Sequence, residues 1–239
     1  MKPSSPTCRT ILLCTQDEGD LTQDMIQVLG ENGFRIDVEV ELHRLCSHLQ
    51  ETRPDAVLLD LAGCRPNVWE CLKELRPHYH GPVVLLSDLL DEAHQIVGFE
   101  LGADGFLSKP VTPLLLARKV GALLRAVKRA TTGDDRSVEV DGLCLHPSRR
   151  EVTLEGRPIF LTAVEFDVLW HLTRNAGRVV SRGELHETLH GSKHNGVDRA
   201  IDIYISRIRR KIGDDAVAPK RLKTVRGAGY LAADHQQRA

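Results

Sequence analysis

Short apolar segments of strand-like composition alternate with amphipathic segments through the first half of the chain, and this alternation restricts the fold more than any other feature. We predict five strands, at residues 10–14, 35–40, 56–61, 82–87 and 106–108. The first intervening helix ends at Gly30 and Gly33, and later ones cover residues 42–50, 68–76, 92–101 and 113–128. Strands separated by helices pair in parallel, because each helix returns the chain to the same edge of the sheet. The first half is therefore predicted to be an α/β domain with a doubly wound, five-stranded parallel sheet.

Polar side chains follow the predicted strands at their carboxyl ends, where ligand sites of such sheets lie. Residues 15–17 (Thr-Gln-Asp) follow the first strand, and Asp60 lies near the end of the third. Ser87 is the last residue of the fourth predicted strand, and Lys109 follows the fifth. In a doubly wound sheet the first and third strands are neighbours, and the order of the strands reverses between them. We therefore expect a site between residues 15–17 and Asp60.

The segments PDAVLLDL, VVLLSD and GADGFLSKP carry Asp60, Ser87 and Lys109 in the order and spacing of a known family. Residues 9–129 resemble the receiver domain of response regulators, whose fold is flavodoxin-like. The resemblance implies that a sensor histidine kinase phosphorylates Asp60 with the help of Mg²⁺. It also implies that Ser87 and Lys109 hold the phosphoryl oxygens and that the Phe106 side chain reports the switch.

One departure from the family concerns the metal. Receivers have two acidic residues after the first strand, whereas this chain has Thr15 and Gln16 there. Because Mg²⁺ prefers anionic oxygens, a hydroxyl and an amide are poor replacements. Asp17 is the alternative ligand, together with Asp60. Two interpretations stay open, a receiver controlled by phosphorylation at Asp60 and a receiver that dimerises without phosphorylation.

A second departure concerns dimerisation. Related receivers pair through the fourth helix, fifth strand and fifth helix, and the resemblance assigns this role to Glu100, Asp104, Leu115 and Lys119. Residues 114–116 are three consecutive leucines, more than one core-facing stripe requires. They indicate either an apolar dimer surface or tight core packing.

The second half differs from the first in charge and in pattern. Residues 1–134 contain 14 Lys and Arg against 19 Asp and Glu, whereas residues 135–239 contain 18 against 14. A net positive charge of this kind is typical of proteins that bind polyanions. We place a linker at residues 130–136 and predict four short strands, at residues 138–140, 143–145, 151–154 and 159–161. Two capping-box helices begin after Thr162 and Ser181, and the chain ends in a hairpin around residues 227–229.

The segment 197–212, VDRAIDIYISRIRRKI, is predicted to form a basic amphipathic helix between those elements. On a helical wheel, one apolar stripe consists of Val197, Ile201, Ile205, Ile208 and Ile212. The opposite face carries Arg199, Ile203, Ser206 and Arg210, flanked by Asp202 and Arg207. A helix that buries one face and presents arginines on the other fits a DNA groove, although a solvated surface helix has the same pattern.

Two helices, a basic helix and a hairpin form the element order of a winged helix. Residues 137–234 resemble the effector domain of the OmpR/PhoB family in LTAVEFDVLWHL, DRAIDIYISRIRRKI and KTVRGAGYL. The whole chain thus resembles an OmpR/PhoB-family response regulator, most closely the RstA branch. The resemblance implies a cytoplasmic, dimeric regulator that binds promoter DNA and contacts RNA polymerase through the loop at residues 193–196. The implied DNA-contacting residues are Arg199, Ala200, Ile203, Tyr204, Arg207, Arg209, Lys223, Thr224 and Arg226.

Roles within that set differ. We expect Arg207 to read a base edge, most often a guanine, and Arg226 to act as the arginine of the wing. Asp202 is expected to orient a neighbouring arginine. A remote alternative is a zinc hydrolase, because His186 to His190 match HExxH. No third ligand follows at the spacing of the larger zinc motifs, so we predict that the protein is not an enzyme.

Overall fold

The computed structural model describes residues 9–16, 19–61, 68–88, 91–132, 136–190 and 199–233. The chain consists of two compact units, residues 1–121 and 122–239. Within the described ranges, no helix is both long enough and apolar enough to cross a membrane.

The N-terminal unit is built on a parallel five-stranded sheet. Its strands are β1 (Arg9–Cys14), β2 (Phe34–Glu39), β3 (Ala56–Asp60), β4 (Val83–Ser87) and β5 (Gly105–Ser108), in the spatial order β2-β1-β3-β4-β5. The predicted class is confirmed, and β1 and β3 are neighbours in register from Ile11 and Ala56 onward. Strands β3 and β4 are buried along their whole length, as expected for the centre of a sheet covered on both faces.

Five helices cover this sheet. They are α1 (Asp20–Glu31), α2 (Leu45–Thr52), α3 (Val68–Leu75), α4 (Glu92–Leu101) and α5 (Pro113–Thr132), with a 3-10 turn at Leu42–Arg44 before α2. Asp91 caps the N-terminus of α4, and its carboxylate accepts a hydrogen bond from the backbone N–H of His94. Helix α5 continues to Thr132, so the predicted linker at residues 130–136 begins inside a helix.

The C-terminal unit begins with an antiparallel sheet of four short strands. These are β6 (Val138–Val140), β7 (Leu143–His146), β8 (Glu151–Leu154) and β9 (Arg157–Ile159), paired in chain order. Asp141-Gly142 and Glu155-Gly156 join them with positive φ at both central positions, the geometry of type I′ hairpins. The fourth strand ends two residues earlier than the sequence pattern indicated.

Three helices and a hairpin complete this unit. They are α6 (Ala163–Arg174), α7 (Arg182–His190), α8 (Arg199–Ile212), β10 (Leu222–Val225) and β11 (Gly229–Ala232). The predicted capping box at Thr162 and Glu165 is present. Gly229, at a φ of 149°, packs against the chain before α7, where an added Cβ would lie 2.0 Å from the Val180 carbonyl oxygen. This close approach lets Val180 and Tyr230 exchange backbone hydrogen bonds and fixes the hairpin.

A buried carboxylate joins α6 to α8. Glu165 is fully buried, and its Oε1 lies 2.6 Å from Nη2 of Arg207 while its Oε2 lies 2.6 Å from Nζ of Lys211. The Thr162 backbone N–H also donates to Oε2, at 2.7 Å. Burial alone would raise the pKa of the Glu165 carboxyl, but Arg207, Lys211 and these hydrogen bonds hold that pKa below its ordinary value. Glu165 is therefore a charged group inside the helical core.

We predict that Arg207→Ala destabilises the C-terminal unit by about 3 kcal/mol, because the substitution leaves the buried Glu165 carboxylate short of one counter-charge. Urea unfolding followed by Trp170 fluorescence, in a Trp69→Phe background, measures the change in the free energy of unfolding. Trp170 is buried on α6, the helix that carries Glu165, whereas Trp69 lies on α3 of the other unit.

Arg210→Ala is the matched control, since Arg210 is exposed on the same helix three residues later. We expect its free energy of unfolding to stay within about 0.5 kcal/mol of the parent. Equal stabilities for the two variants would show that the contact between Arg207 and Glu165 does not support the core.

Candidate phosphoacceptor pocket and nucleic-acid interface

The carboxyl edge of the parallel sheet brings together the residues that the sequence singled out. Asp60 is the last residue of β3, Ser87 is the last of β4, and Lys109 follows β5. Because these strands are parallel neighbours, their ends meet at one edge. Asp60 and Ser87 are buried, with 1% and 3% of their surface exposed.

Two donors converge on one oxygen of Asp60. The Lys109 ammonium lies 2.5 Å from Oδ2, and the Thr15 hydroxyl donates to the same atom at 2.9 Å. Thr15 is itself buried, directly after β1, and its backbone N–H donates to the Glu39 carbonyl oxygen. A cation and a hydroxyl therefore neutralise a carboxylate that would otherwise be costly to bury.

Among the described residues, two side chains that contact Asp60 carry an ammonium and a hydroxyl, and neither supplies the anionic oxygen that Mg²⁺ prefers. Mg²⁺ needs several hard oxygen ligands in octahedral geometry, most often with more than one carboxylate. The Thr15 side chain contributes a hydroxyl that donates to Asp60. No cluster of three or more Asp, Glu, His or Cys side chains able to hold a metal occurs among the described residues. Asp17, the predicted alternative ligand, lies outside the described residues.

Phe106, which the resemblance assigns to the switch, packs against α4 at Gly98, a residue that the sequence did not single out. Gly98 of α4 has no side chain, and an added Cβ there would lie 2.2 Å from Cζ of Phe106. The Phe99 ring meets the Phe106 ring edge to face, with centroids 5.1 Å apart. The missing side chain at Gly98 therefore leaves the space that the Phe106 ring fills.

The residues assigned to dimerisation separate into buried and exposed ones. Asp104 is fully buried, lies 2.5 Å from Nη2 of Arg76 and accepts from the Val83 backbone N–H at 2.9 Å. Its assignment to the dimer surface is corrected, because the Asp104 carboxylate links β4 to Arg76, the residue after α3, inside the unit. Glu100, Leu115 and Lys119 are exposed.

Helix α8 buries its predicted stripe and several residues that were assigned to DNA contact. Ile201, Ile205, Ile208 and Ile212 are buried, as predicted, whereas Val197 lies outside the described residues. However, Ile203, Tyr204, Arg207 and Arg209 are also buried. Arg207 is only 4% exposed and is paired with Glu165, so we withdraw its assignment to a base edge.

Arg209 joins the helix to the hairpin. Its Nε and Nη2 donate to the Leu222 carbonyl oxygen, and Nη2 also donates to the Thr224 hydroxyl at 2.8 Å. A guanidinium held in this way positions β10 beside α8. Ala200 is half-buried, and the Arg199 side chain lies outside the described residues.

The exposed surface of α8 and the hairpin defines the candidate interface. Asp202, Ser206 and Arg210 lie four residues apart and form the solvent-facing ridge of α8. On the hairpin, the predicted residues Lys223, Thr224 and Arg226 are all exposed. This geometry suits a helix that enters a groove while the hairpin contacts the adjacent backbone.

A second cluster at this interface includes two residues that sequence reasoning missed. Nε of Arg182 donates to Oδ1 of Asp202 at 2.7 Å, and the Tyr230 hydroxyl donates to the same oxygen at 2.5 Å. The Arg182 guanidinium also lies over the Tyr230 ring, 4.8 Å from its centroid. Asp202, which we expected to orient a neighbouring arginine, contacts Arg182, the first residue of α7.

The HExxH segment forms the C-terminal half of α7. Leu189 is buried in the core, and His186 is half-buried. The side chain of His190 and the loop at residues 193–196 lie outside the described residues.

Two families match the two halves of the chain. The response regulator receiver domain matches residues 12–120, and the C-terminal domain of transcriptional regulatory proteins matches residues 156–232. Both matches fall within the domains predicted from the sequence. The C-terminal match contains α6, α7, α8 and the hairpin.

Relatives match the chain over nearly its full length. The transcriptional regulatory protein CpxR of Klebsiella pneumoniae is 34% identical over 225 residues, which cover 92% of this chain and 97% of the relative. The transcriptional regulatory protein RstA of Escherichia coli is 30% identical, with 94% and 98% covered. The solved structure of a RitR mutant covers 95% of this chain and 99% of its own, with a TM-score of 0.76 at 22% identity, and supports the fold. The chain therefore belongs to the OmpR/PhoB family of response regulators, with an N-terminal receiver and a C-terminal winged-helix domain.

Proposed function

We propose that this protein is a sequence-specific DNA-binding transcription regulator that acts on promoter DNA in the bacterial cytoplasm. The observation that carries the proposal is the exposed ridge of α8 beside the exposed hairpin residues Lys223 and Arg226. An α-helix fits the major groove of B-DNA, and a hairpin beside it reaches the neighbouring phosphates. The relatives CpxR and RstA are named as transcriptional regulatory proteins, which agrees with this reading.

Contacts within the interface follow from position along α8. Residues in the N-terminal half of a recognition helix reach base edges, whereas those near its C-terminal end meet the backbone. The part of the ridge before Ser206 therefore faces the bases, and Arg210 faces a phosphate. Arg226, at the tip of the hairpin, supplies the contact of the wing, and Lys223 and Thr224 lie beside the backbone.

The receiver acts as the dimerisation module in this proposal. Val97 on α4 and Leu114 and Leu115 on α5 are 43%, 48% and 47% exposed. Apolar side chains grouped on two helices favour contact with another protein surface over contact with water. A homodimer through α4, β5 and α5 buries them, with Glu100 and Lys119 at the edge. Dimers place two winged helices on half-sites about one DNA turn apart.

Control of the receiver has two candidate modes. The resemblance implies phosphorylation of Asp60 by a sensor histidine kinase, and the chain keeps Asp60, Ser87 and Lys109 at one edge of the sheet. The hydrogen bond from Thr15 to Asp60 favours the second mode, in which the receiver dimerises without phosphorylation. A hydroxyl at this position removes one of the anionic ligands that Mg²⁺ prefers. Contact with RNA polymerase through residues 193–196 belongs to either mode.

We predict that Arg210→Ala and Arg226→Ala each weaken DNA binding by the full chain without unfolding it, because each removes one phosphate contact. Fluorescence anisotropy at several salt concentrations measures binding. The slope of log K against log[salt] should fall by about 1 for each variant. Arg157→Ala is the matched control, an exposed arginine on β9 away from α8 and the hairpin. Unchanged affinity and slope for both variants would contradict the proposed interface.

We predict that Leu115→Glu converts a dimer of the full chain into a monomer, because a carboxylate at the apolar contact must lose its water to be buried. Sedimentation velocity at micromolar concentrations measures the molecular mass. Val38→Glu is the control, since Val38 is 41% exposed on β2 and lies outside the proposed surface. A monomeric wild-type protein, or a dimer that survives Leu115→Glu, would contradict this surface.

We predict that a small phosphodonor with Mg²⁺ leaves wild-type protein without a phosphoryl adduct by intact mass, and that DNA affinity stays unchanged. Asp60→Ala should bind DNA as the wild type does. Thr15→Asp restores a second carboxylate beside Asp60 and should gain an adduct that depends on Mg²⁺. An adduct on the wild type that is lost in Asp60→Ala would instead establish control by phosphorylation.

A further inference from the structure

A buried glutamate ends the second strand of the parallel sheet. Glu39 is the last residue of β2, and only 7% of its side chain is exposed. Both of its carboxylate oxygens are held, since Oε1 accepts from the Glu41 backbone N–H at 3.0 Å and Oε2 lies 2.9 Å from Nδ1 of His48 on α2. Burying a charged group is costly unless it is paired in this way. Neither Glu39 nor His48 has a role in the sites described above.

The charge of this pair changes at the imidazole and not at the carboxylate. Burial, the strongest influence, raises the pKa of the Glu39 carboxyl, but the hydrogen bonds from His48 and Glu41 and the charge of Arg44 hold that pKa below its ordinary value. Histidine, in contrast, is the side chain that changes charge between about pH 5 and 8. Because an ionised carboxylate only accepts, Nδ1 of His48 carries a hydrogen in both charge states, and protonation adds one at Nε2. The added proton turns a hydrogen bond into an ion pair, so the stronger contact is present at the acid end of this range and is lost at the alkaline end.

The backbone of Glu39 connects the pair to the phosphoacceptor pocket. Its carbonyl oxygen accepts from the Thr15 backbone N–H at 3.1 Å, and the Thr15 hydroxyl donates to Oδ2 of Asp60 at 2.9 Å. Strands β1 and β2 are in register at this point, with Cys14 opposite Glu39. Because the Glu39 side chain is anchored at both oxygens, it fixes the position of its own backbone. The strength of the contact between His48 and Glu39 therefore affects the position of Thr15.

The 3-10 turn before α2 brings two further charged or titratable side chains near the pair. Arg44 acts on the Glu39 carboxylate through its charge. Nε2 of His43 lies 3.4 Å from the Glu41 carboxylate, and the His43 side chain is 78% exposed. His43 is the one other histidine between residues 9 and 76, so it is the natural control for His48.

The remaining elements around the pair contribute cysteines and acids. Burial first, and then Glu74 of α3, raises the pKa of the Cys46 thiol on α2, which therefore stays neutral in this range. Cys14 of β1 is buried. On α1, which packs against β2, Asp24 and Glu31 are exposed. The imidazole of His48 is thus the group whose charge changes directly at Glu39.

We propose that His48 and Glu39 form a proton-sensitive link to the phosphoacceptor pocket, in which gain of a proton at Nε2 of His48 strengthens the hold of Thr15 on Asp60. This proposal rests on the mode of receiver control without phosphorylation proposed above. It supplies that mode with a signal, because the pocket then responds to pH through a partly exposed histidine. His48 and Glu39 act here as positioning residues for Thr15.

The test is a pH titration of the full chain by NMR, with the His48 ring C–H and the Thr15 amide as probes. Both signals should shift between about pH 5 and 8 with one shared midpoint. Glu39→Gln keeps the shape of the side chain and removes its charge. The midpoint should then fall by about one pH unit, because a neutral amide no longer favours the charged imidazole.

Two histidine variants separate this link from other titrations. His48→Gln keeps a hydrogen-bond donor without a titrating ring and should abolish the shift of the Thr15 amide. His43→Gln is the matched control and should leave that shift unchanged. Thermal unfolding checks the fold of each variant, and the Glu39→Gln titration still tests the link if His48→Gln does not fold.

The outcomes distinguish the link from the mode of control beneath it. A His48 signal without a midpoint in this range, or a Thr15 amide that does not follow it, overturns the link. A Thr15 shift that survives in folded His48→Gln, or that disappears in His43→Gln, also overturns it, because another group then acts on the pocket. A phosphoryl adduct on wild-type Asp60, measured as described above, overturns instead the mode of control without phosphorylation.

Discussion

The buried carboxylate of Glu165 is the interaction on which the geometry of the DNA-binding unit depends. One side chain closes the capping box of α6 through the Thr162 backbone and also pairs with Arg207 and Lys211 on α8. Burying a charge is costly unless its partners are close and well aligned, so the position of α8 against α6 is strongly restricted. That restriction determines which residues of α8 face outward. The ridge of Asp202, Ser206 and Arg210 is what remains after the isoleucine stripe and Arg207 turn inward.

The receiver pocket also buries a carboxylate, but different groups balance its charge. Asp60 is buried as deeply as Glu165, and its charge is met by Lys109 and by the Thr15 hydroxyl. A pocket with a second carboxylate would need a cation to relieve repulsion between the acids, and this need gives Mg²⁺ its affinity. In this structure the Thr15 hydroxyl and the Lys109 ammonium meet the charge of Asp60 within the protein. This contact is the basis of the proposal that the receiver acts without phosphorylation.

Features set by neighbouring residues were predictable from the sequence. The parallel sheet, the type I′ turns at Asp141 and Glu155, the capping box and the isoleucine stripe of α8 all follow from local pattern and residue type. The partners of individual charged side chains were not predictable in this way. The family resemblance assigned Asp104 and Arg207 to surfaces, whereas each is buried against a partner distant in sequence, Arg76 and Glu165.

A sequence signal for Arg207 did exist. Arg207 and Lys211 are spaced i, i+4 at the margin of the apolar stripe, so two cations on one side of α8 indicate a common anionic partner. Glu165 is acidic within a helix that is otherwise apolar around most of its circumference. The network of Arg182, Asp202 and Tyr230 had no comparable signal, since it joins three elements through a hairpin whose position depends on the approach at Gly229.

Many basic side chains of the DNA-binding unit are paired within the fold, and this pairing affects the affinity for DNA. Arg207, Arg209 and Lys211 are held by Glu165, Leu222 and Thr224, and Arg182 is held by Asp202. The basic content of the second half therefore overstates the charge that one winged helix offers to phosphates, and each missing phosphate contact lowers affinity at physiological salt. Linking two winged helices raises affinity without adding a single contact, because the second domain then binds at a high effective concentration. The proposed receiver dimer thus complements a recognition helix in which Arg207 and Arg209 are engaged in the fold.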